Sequence, residues 1–386
     1  MISARGRSMS IAPKAIVLCA AFVTAVAGQT NAPGPQMSEE AYKDIRLLKG
    51  MPVDQFLDAM GFFSAATNLN CIDCHGTAAG GDWSLYARDT PKKTIARQMI
   101  VMTQNLNKAN FGGGHAVTCY TCHRGAQRPD AIPSLVIQNS APIPDPDEFE
   151  VSGAPVSGTP SADQVFGKYL QALGGSEELA KLKSFVLHGD YNGFDTDFEK
   201  RQIEVYGKAP GERAFVVHYR GGDSLTTFDG KQGWIAEADK PVPLIELTTG
   251  ALEGIRVDGT VLFAGGIRQL RKDWKVGMTQ IDDKDVVVAE GTGESKTPLK
   301  LYFDKDSGLL VRLLRYSQTA VGTVPAQFDF DDYRAVPGTA VKMPWKLTAT
   351  WVDGRSITNV SGIDVNPAIP ESRFAKPALP AKAGAR

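Results

Sequence analysis

Cysteine and histidine are the scarce residues of this 386-residue sequence, with five of each. Charge of one sign is missing too: 42 basic side chains face 43 acidic ones and leave a formal charge of -1. A protein that grips nucleic acid needs a basic footprint to neutralise phosphates, so that class of partner is excluded. No repeat of fixed period occurs, which sets aside solenoids and propellers. No apolar run reaches the ~20 residues that carry a helix across a bilayer. Residues 161–377 contain neither a cysteine nor a nucleotide-binding loop, and no catalytic residue is assigned there. A single core seldom grows beyond about 250 to 300 residues, so a chain of this length is expected to divide into domains.

What is present begins with Arg5, Arg7 and Lys14 ahead of the uncharged run AIVLCAAFVTAVA at 15–27. A charged start, a short apolar stretch and small residues before Gly28 are the parts of a secretory signal peptide, expected over 1–27. The mature chain is then exported, periplasmic or otherwise extracytoplasmic, and held at a membrane only through a partner. Cys19 leaves with the leader, and four cysteines remain: Cys71, Cys74, Cys119 and Cys122.

Residues 38–128 read as helices separated by glycine-rich loops. Val53, Phe56, Leu57, Met60 and Phe63 recur at helical spacing and form one apolar face just ahead of Cys71. A second helix opens at DTPKKTIARQMIVMTQNLN, with Thr90 as N-cap and Pro91 in the first helical position. Its stripe is Ile95, Met99, Met102 and Leu106. Seven prolines between Pro129 and Pro160, with no helical period, give an extended linker over 129–160. From Ser161 a short helix ends at Gly174 and Gly175. Apolar runs follow, parted by turns such as FDKDSGLL and WVDGRS, with one helical interruption over about Thr248–Trp274. A large antiparallel sheet with helices on one side is expected over 161–377, then a tail at 378–386. Asp329, Asp331 and Asp332 lie along a strand and its turn, where alternate side chains point to opposite faces.

The two cysteine pairs fall in CIDCH at 71–75 and CYTCH at 119–123. C-x-x-C-H is the c-type haem attachment sequence: two thiols add to the haem vinyl groups and the adjacent histidine ligates iron. Cysteines three apart share one side of a helical turn, and a histidine directly after the second can swing its imidazole beneath the macrocycle. A zinc ribbon needs no following histidine and separates its pairs by fewer than the 44 residues found here. A thioredoxin-like pair would come once, beside a strand. The sequence thus predicts two covalent haem c groups, on Cys71 and Cys74 and on Cys119 and Cys122, with His75 and His123 on iron. The candidates for sixth ligand are Met60 on the apolar face ahead of the first site, Met99 and Met102 on the face ahead of the second, and His115 in the glycine-rich loop, which would give a bis-histidine site.

The block AYKDIRLLKGMPVDQFLDAM…CIDCH…TIARQMIVMTQNLN…VTCYTCHRG resembles the photosynthetic reaction-centre cytochrome c subunit family over residues 40–128. The resemblance implies a methionine on the preceding helix as sixth ligand, favouring Met60 for the first haem and Met99 for the second. It also implies electron transfer between proteins, with a membrane-bound redox complex among the partners. The family's subunit carries four haems and this chain has two attachment sequences, so reduction of a photo-oxidised chlorophyll pair does not carry over. FDGKQGWI and FDFDDYRAVPGTAVKMPWKLTATWVDG are similar to the lipoprotein-carrier fold, an open antiparallel barrel whose concave face takes a hydrophobic ligand. The expected fold class is therefore multidomain: an all-α di-haem domain followed by a mainly antiparallel β domain (open barrel, α+β). The expected function is an exported electron carrier and no enzyme. The alternatives are a di-haem peroxidase, which needs one displaceable sixth ligand, and a lipid-binding module with ancillary haems.

Overall fold

The structure is a computed structural model that describes residues 34–77, 82–135, 158–292 and 297–379. The expected signal peptide, residues 136–157 of the expected linker and most of the tail lie outside the described residues. Local sequence explains the helices of the first half. After a single turn, α1 (Ser38–Ala41), comes α2 (Val53–Thr67), which ends where Asn68 turns left-handed at φ 56°. Next, α3 (Cys71–His75) is capped by Asn70, whose Oδ1 accepts from Asp73 N–H at 3.0 Å while Asp73 accepts in return. The long α4 (Pro91–Asn110) starts as its sequence dictates, with Thr90 Oγ1 accepting from Lys93 N–H at 3.2 Å and Pro91 in the first turn. Thr118 and Thr121 close the start of α5 (Cys119–His123) in the same reciprocal way.

In the second half, α6 (Ala162–Ala172) is capped by Ser161 and Gln164 and leads into α7 (Ser176–Lys181). The strands β1 (Ser184–Gly193), β2 (Arg201–Lys208), β3 (Glu212–Val217), β4 (Ser224–Phe228), β5 (Gly233–Ala236) and β6 (Leu244–Glu246) form one meander. Helix α8 (Thr249–Phe263) then crosses to a second. It comprises β7 (Trp274–Ile281), β8 (Lys284–Thr292), β9 (Pro298–Asp304), β10 (Leu310–Thr319), β11 (Gly322–Ala335), β12 (Lys342–Trp351) and β13 (Gly354–Val365). All thirteen strands among the described residues share one antiparallel sheet. Sheet neighbours are sequence neighbours everywhere except at the centre, where β1 pairs with β13 from Phe185↔Val365 to Gly193↔Ser356. A bulge at His188/Gly189 marks that seam, and a Cβ at Gly189 would meet Asn359 O at 2.2 Å.

The helices cover one face. Phe166 and Tyr169 of α6 and Val257 of α8 pack on Leu301, Phe303 and Leu313 of the sheet. Each such fully buried side chain contributes roughly 1.5 to 3 kcal/mol. A cavity of about 30 Å³ remains among Tyr169, Leu173, Val261 and Tyr333. That is about the share of one water in the liquid and far below the needs of an acyl chain. The fold is thus a helical N-terminal region followed by a large open antiparallel sheet.

Two local expectations need correction. The helix expected over about Thr248–Trp274 stops at Phe263, because Ala264 at φ 43° and the Gly265–Gly266 pair end it. Trp274–Ile281 is a strand instead, and Leu244–Glu246 another. They are the two edges of the sheet, and β7 has only half-buried and exposed residues, so its apolar alternation is faint.

From Pro35 onward the described residues form one compact unit, and α2 joins its layers. Asp54 is buried and accepts from Thr248 N–H at 2.6 Å and from the Thr248 hydroxyl at 2.9 Å, just where α8 begins. Gln55 Nε2 donates to Thr248 Oγ1 at 3.0 Å and to Thr249 Oγ1 at 3.1 Å. Phe62 is buried against Gly322, where a Cβ would strike the ring at 2.7 Å and φ is 153°. Only glycine lets the helix approach that turn so closely.

Candidate haem sites

The first site is built on α3. Its N-cap sets Cys71 exposed and Cys74 half-buried on one turn, and Thr90 Oγ1 donates to Cys74 O at 2.5 Å. His75 follows, half-buried, with its Nδ1 2.9 Å from the carbonyl of Tyr86. A carbonyl can only accept, so Nδ1 carries the proton and the Nε2 lone pair is left for a metal. The ring stacks on Tyr86 at a centroid distance of 4.6 Å, which fixes its plane. Burial, then Lys93 and Arg97, push the His75 pKa down, so the imidazole is neutral as a ligand must be. Met60 stands half-buried on α2 ahead of this turn. Two residues earlier, the Asp58 carboxyl is pushed up to about 6 by burial and by its neighbours Asp54 and Asp353, with Arg315 acting against them.

The second site repeats the pattern. Cys119 is half-buried and Cys122 exposed on α5, and His123 Nδ1 lies 3.0 Å from the carbonyl of Ala126. Again the proton is on Nδ1 and Nε2 is available. Gly125 N–H donates to Ala66 O at 2.9 Å, which binds the exit of α5 to the end of α2. Asn107 is buried and exchanges hydrogen bonds with both backbone groups of Val117, at 2.7 and 2.9 Å. Arg97 links Asp44 and Asp89, at 2.8 and 2.5 Å, so the arginine ahead of Met99 anchors the start of α4. Asn107 and Arg97 are positioning residues that periodicity did not single out; their sequence signals were a polar residue inside an apolar helix and the RQM start.

The apolar face of α4 expected to meet a haem is open. Ile95, Met99, Met102 and Leu106 are 54, 36, 49 and 39% exposed, while the buried residues of α4 are Ile100 and Asn107 on another side. The α2 face is divided: Leu57 is 43% exposed, Phe56, Met60 and Phe63 are half-buried, and Val53 is buried against Val242 and Ile245. Large apolar stripes left uncovered beside a reactive turn mark a binding face. His115 lies elsewhere: with Cys119, Ile100 and Asn107 it lines a cleft of about 280 Å³ whose far wall is Ala320 and Val321, the turn between β10 and β11.

These residues fit covalently attached haem. All four cysteines are unpaired thiols. Burial raises the pKa of Cys71, Cys74 and Cys119, so they are neutral at ordinary pH and lack the thiolate character of a redox-exchange pair. Among the described residues no three His, Cys, Asp or Glu side chains converge on one point. The two pairs are therefore separate sites and not four ligands of one tetrahedral ion. Haem brings four nitrogens of its own and would need few donors from the chain, and His75 and His123 would each offer a free Nε2. The aspartates of β11 are structural: Asp329 pairs with Arg312 at 2.6 Å, Asp331 with Lys346 at 3.6 Å and Asp332 with Arg334 at 2.5 Å.

Residues 3–149 match the sequence family described as the photosynthetic reaction centre cytochrome C subunit. The chain is 31% identical over 152 residues to the photosynthetic reaction center cytochrome c subunit of Roseobacter denitrificans, covering 36% of this chain and 39% of that one. It is also 31% identical over 103 residues to the subunit of the same name from Rubrivivax gelatinosus, covering 26% of each. The chain thus spans about two fifths of one relative and a quarter of the other. Among solved structures, a DUF1329 family protein from Desulfovibrio piger aligns at TM-score 0.39 and 11% identity, over 55% of this chain and 96% of that one. A LolA superfamily protein from Nitrosomonas europaea aligns at 0.38 and 14%, over 56% and 98%. Strand order and register, and not these low scores, define the fold. No described helix is long and apolar enough to cross a membrane. In its N-terminal part, then, the chain resembles the cytochrome c subunit of the photosynthetic reaction centre.

Proposed function

We infer that this chain is an exported di-haem c-type cytochrome that passes single electrons between protein partners, one of them a membrane-bound redox complex. The observation that carries the reading is the pair of C-x-x-C-H turns, each with its histidine Nδ1 held by a backbone carbonyl and its Nε2 left for iron. Cys71 and Cys74 would hold the first haem and Cys119 and Cys122 the second, with Met60 and Met99 as sixth ligands. Bound haem supplies the one-electron chemistry. The chain's own residues do the rest. The Tyr86 and Ala126 carbonyls orient the imidazoles, the exposed stripe of α4 would keep water from a bound haem, and methionine ligands would raise its potential relative to a second histidine. The reading keeps a helical haem region at 38–128, a linker at 129–160 and a sheet region at 161–377.

A second ligand choice rests on the cleft. His115 lines it together with Cys119, whereas Met99 and Met102 lie on the open stripe. A bis-histidine second haem would follow from His115.

Intact mass and a redox titration of the mature holoprotein test the reading together. Two added haem masses and two one-electron waves are expected. A mature chain without haem, or with its cysteine pairs as disulfides, would overturn it. A high-spin, peroxide-reactive haem would move the function to the peroxidase class, and co-purifying lipid would favour the lipid-binding module.

A further inference from the structure

Two hairpin turns at one end of the sheet meet the helices of the first half. The turn from β10 to β11 is Ala320–Val321, closed by the Thr319↔Gly322 pair. Thr319 Oγ1 is buried there, donating to Gly322 O at 2.8 Å and accepting from Val321 N–H at 3.2 Å. Two-residue hairpin turns ordinarily carry Gly, Asn or Asp. Here two apolar residues occupy the turn, and both line the cleft that Cys119 lines from the opposite side.

The turn from β12 to β13 is Val352–Asp353, closed by Trp351↔Gly354. A Cβ at Gly61 would lie 3.2 Å from both carboxylate oxygens of Asp353. Gly61 directly follows Met60, so this contact sets the Asp353 carboxylate beside the methionine read as the first haem's ligand, and its charge adds to burial in raising the Cys71 thiol pKa. Adjacent residues of α2 therefore rest on one turn each, Gly61 on Asp353 and Phe62 on Gly322.

We propose that each turn walls one haem site and sets that haem's potential separately, Asp353 bringing a carboxylate charge to the first and Ala320–Val321 an uncharged wall to the second. This rests on the di-haem reading above. A carboxylate stabilises the more positive, oxidised centre, so Asp353 lowers the first haem's potential, against the Lys93 and Arg97 cations beside His75, and the uncharged turn leaves the second unshifted. The sheet becomes a part of the chain that tunes the two haems one by one.

The test is a redox titration of the haem-loaded full chain. The wave lost in a Cys71→Ala, Cys74→Ala variant identifies the first haem. A unit charge about 10 Å from an iron, through an effective dielectric of about 20, changes a one-electron equilibrium on the order of tenfold, which is about 59 mV. Asp353→Asn should shift the first haem upward by about that factor and leave the second in place. Val321→Asp should lower the second by a similar factor and leave the first; Ala320→Asp, at an exposed position, gives the same result with less disturbance to packing. Waves that stay where they are in wild type, or that move alike for both haems, would overturn the proposal while the haem count stands. A wild-type chain without haem would instead overturn the di-haem reading itself, and the two failures are told apart by mass.

Discussion

Asp54→Ala should weaken the joint between helical layer and sheet. The carboxylate accepts from the Thr248 backbone at 2.6 Å and from its hydroxyl at 2.9 Å, across 194 residues of sequence. Hydrogen bonds to a charged group contribute about 1.5 to 3 kcal/mol, and an orphaned donor at a helix start costs about 0.5 to 2. Against this, burial outweighs those bonds and raises the Asp54 pKa, so part of the gain is already offset. The net loss for Asp54→Ala is about 2 to 3 kcal/mol, and Asp54→Asn, which keeps an acceptor, should lose about 1 or less. The sign with pH follows from linkage. The folded chain holds the Asp54 proton more tightly than the unfolded chain, so the stability tied to this group is present at acid pH and declines as pH rises through the raised value. The Asn variant should therefore gain on wild type toward alkaline pH. Urea unfolding of the holoprotein, followed by haem absorbance for the helical layer and far-UV circular dichroism for the sheet, reads the effect. In Asp54→Ala both midpoints should fall and the two probes should separate. A variant within about 0.5 kcal/mol of wild type, or an Asn as damaging as the Ala, would refute the reasoning.

Three further outcomes are expected. Gly322→Ala should cost about 1 to 3 kcal/mol, from the 2.7 Å approach to Phe62 and the φ of 153°, measured as a shift in urea midpoint. Burial raises the pKa of Glu237, so wild-type stability tied to that carboxyl falls as pH climbs above its unfolded value of about 4.3; Glu237→Gln should stabilise the chain at neutral pH and not at pH 4, and a uniform effect would count against it. If Met99 is the second haem's ligand, Met99→Ala should lower that haem's potential and remove its methionine–iron absorption band, while His115→Ala should spare both; a potential that moves in His115→Ala and stays in Met99→Ala would make His115 the ligand.

The attachment turns were legible because everything they need is local. Cysteine spacing, the adjacent histidine and the Asn70 and Thr118 caps all lie within six residues. The α4 start was legible for the same reason, since Thr90 and Pro91 act on their own first turn. The methionine stripe was visible as periodicity, but periodicity cannot say what covers a face; only the structure shows that Ile95 and Met102 are left open. Partners far apart in sequence stayed hidden: Asp54 with Thr248, Phe62 with Gly322, and the Ala320–Val321 turn beside Cys119. The edge strands β6 and β7 were missed because an edge strand has one neighbour and little to bury.

The pairing of β1 with β13 has a consequence for how the chain is completed. Each half of the sheet is a run of hairpins that can form from nearby residues, but the seam joins Phe185 to Val365. Contacts of such range form late, and a chain emerges N-terminus first. The helices of the attachment turns would exist before the sheet they rest on, and the last strand made is the one that closes the centre. A chain stopped short of Gly354 would present two bare inner edges, β1 and β12, each a template for pairing with another copy. Truncation at the C-terminus should thus show first as aggregation.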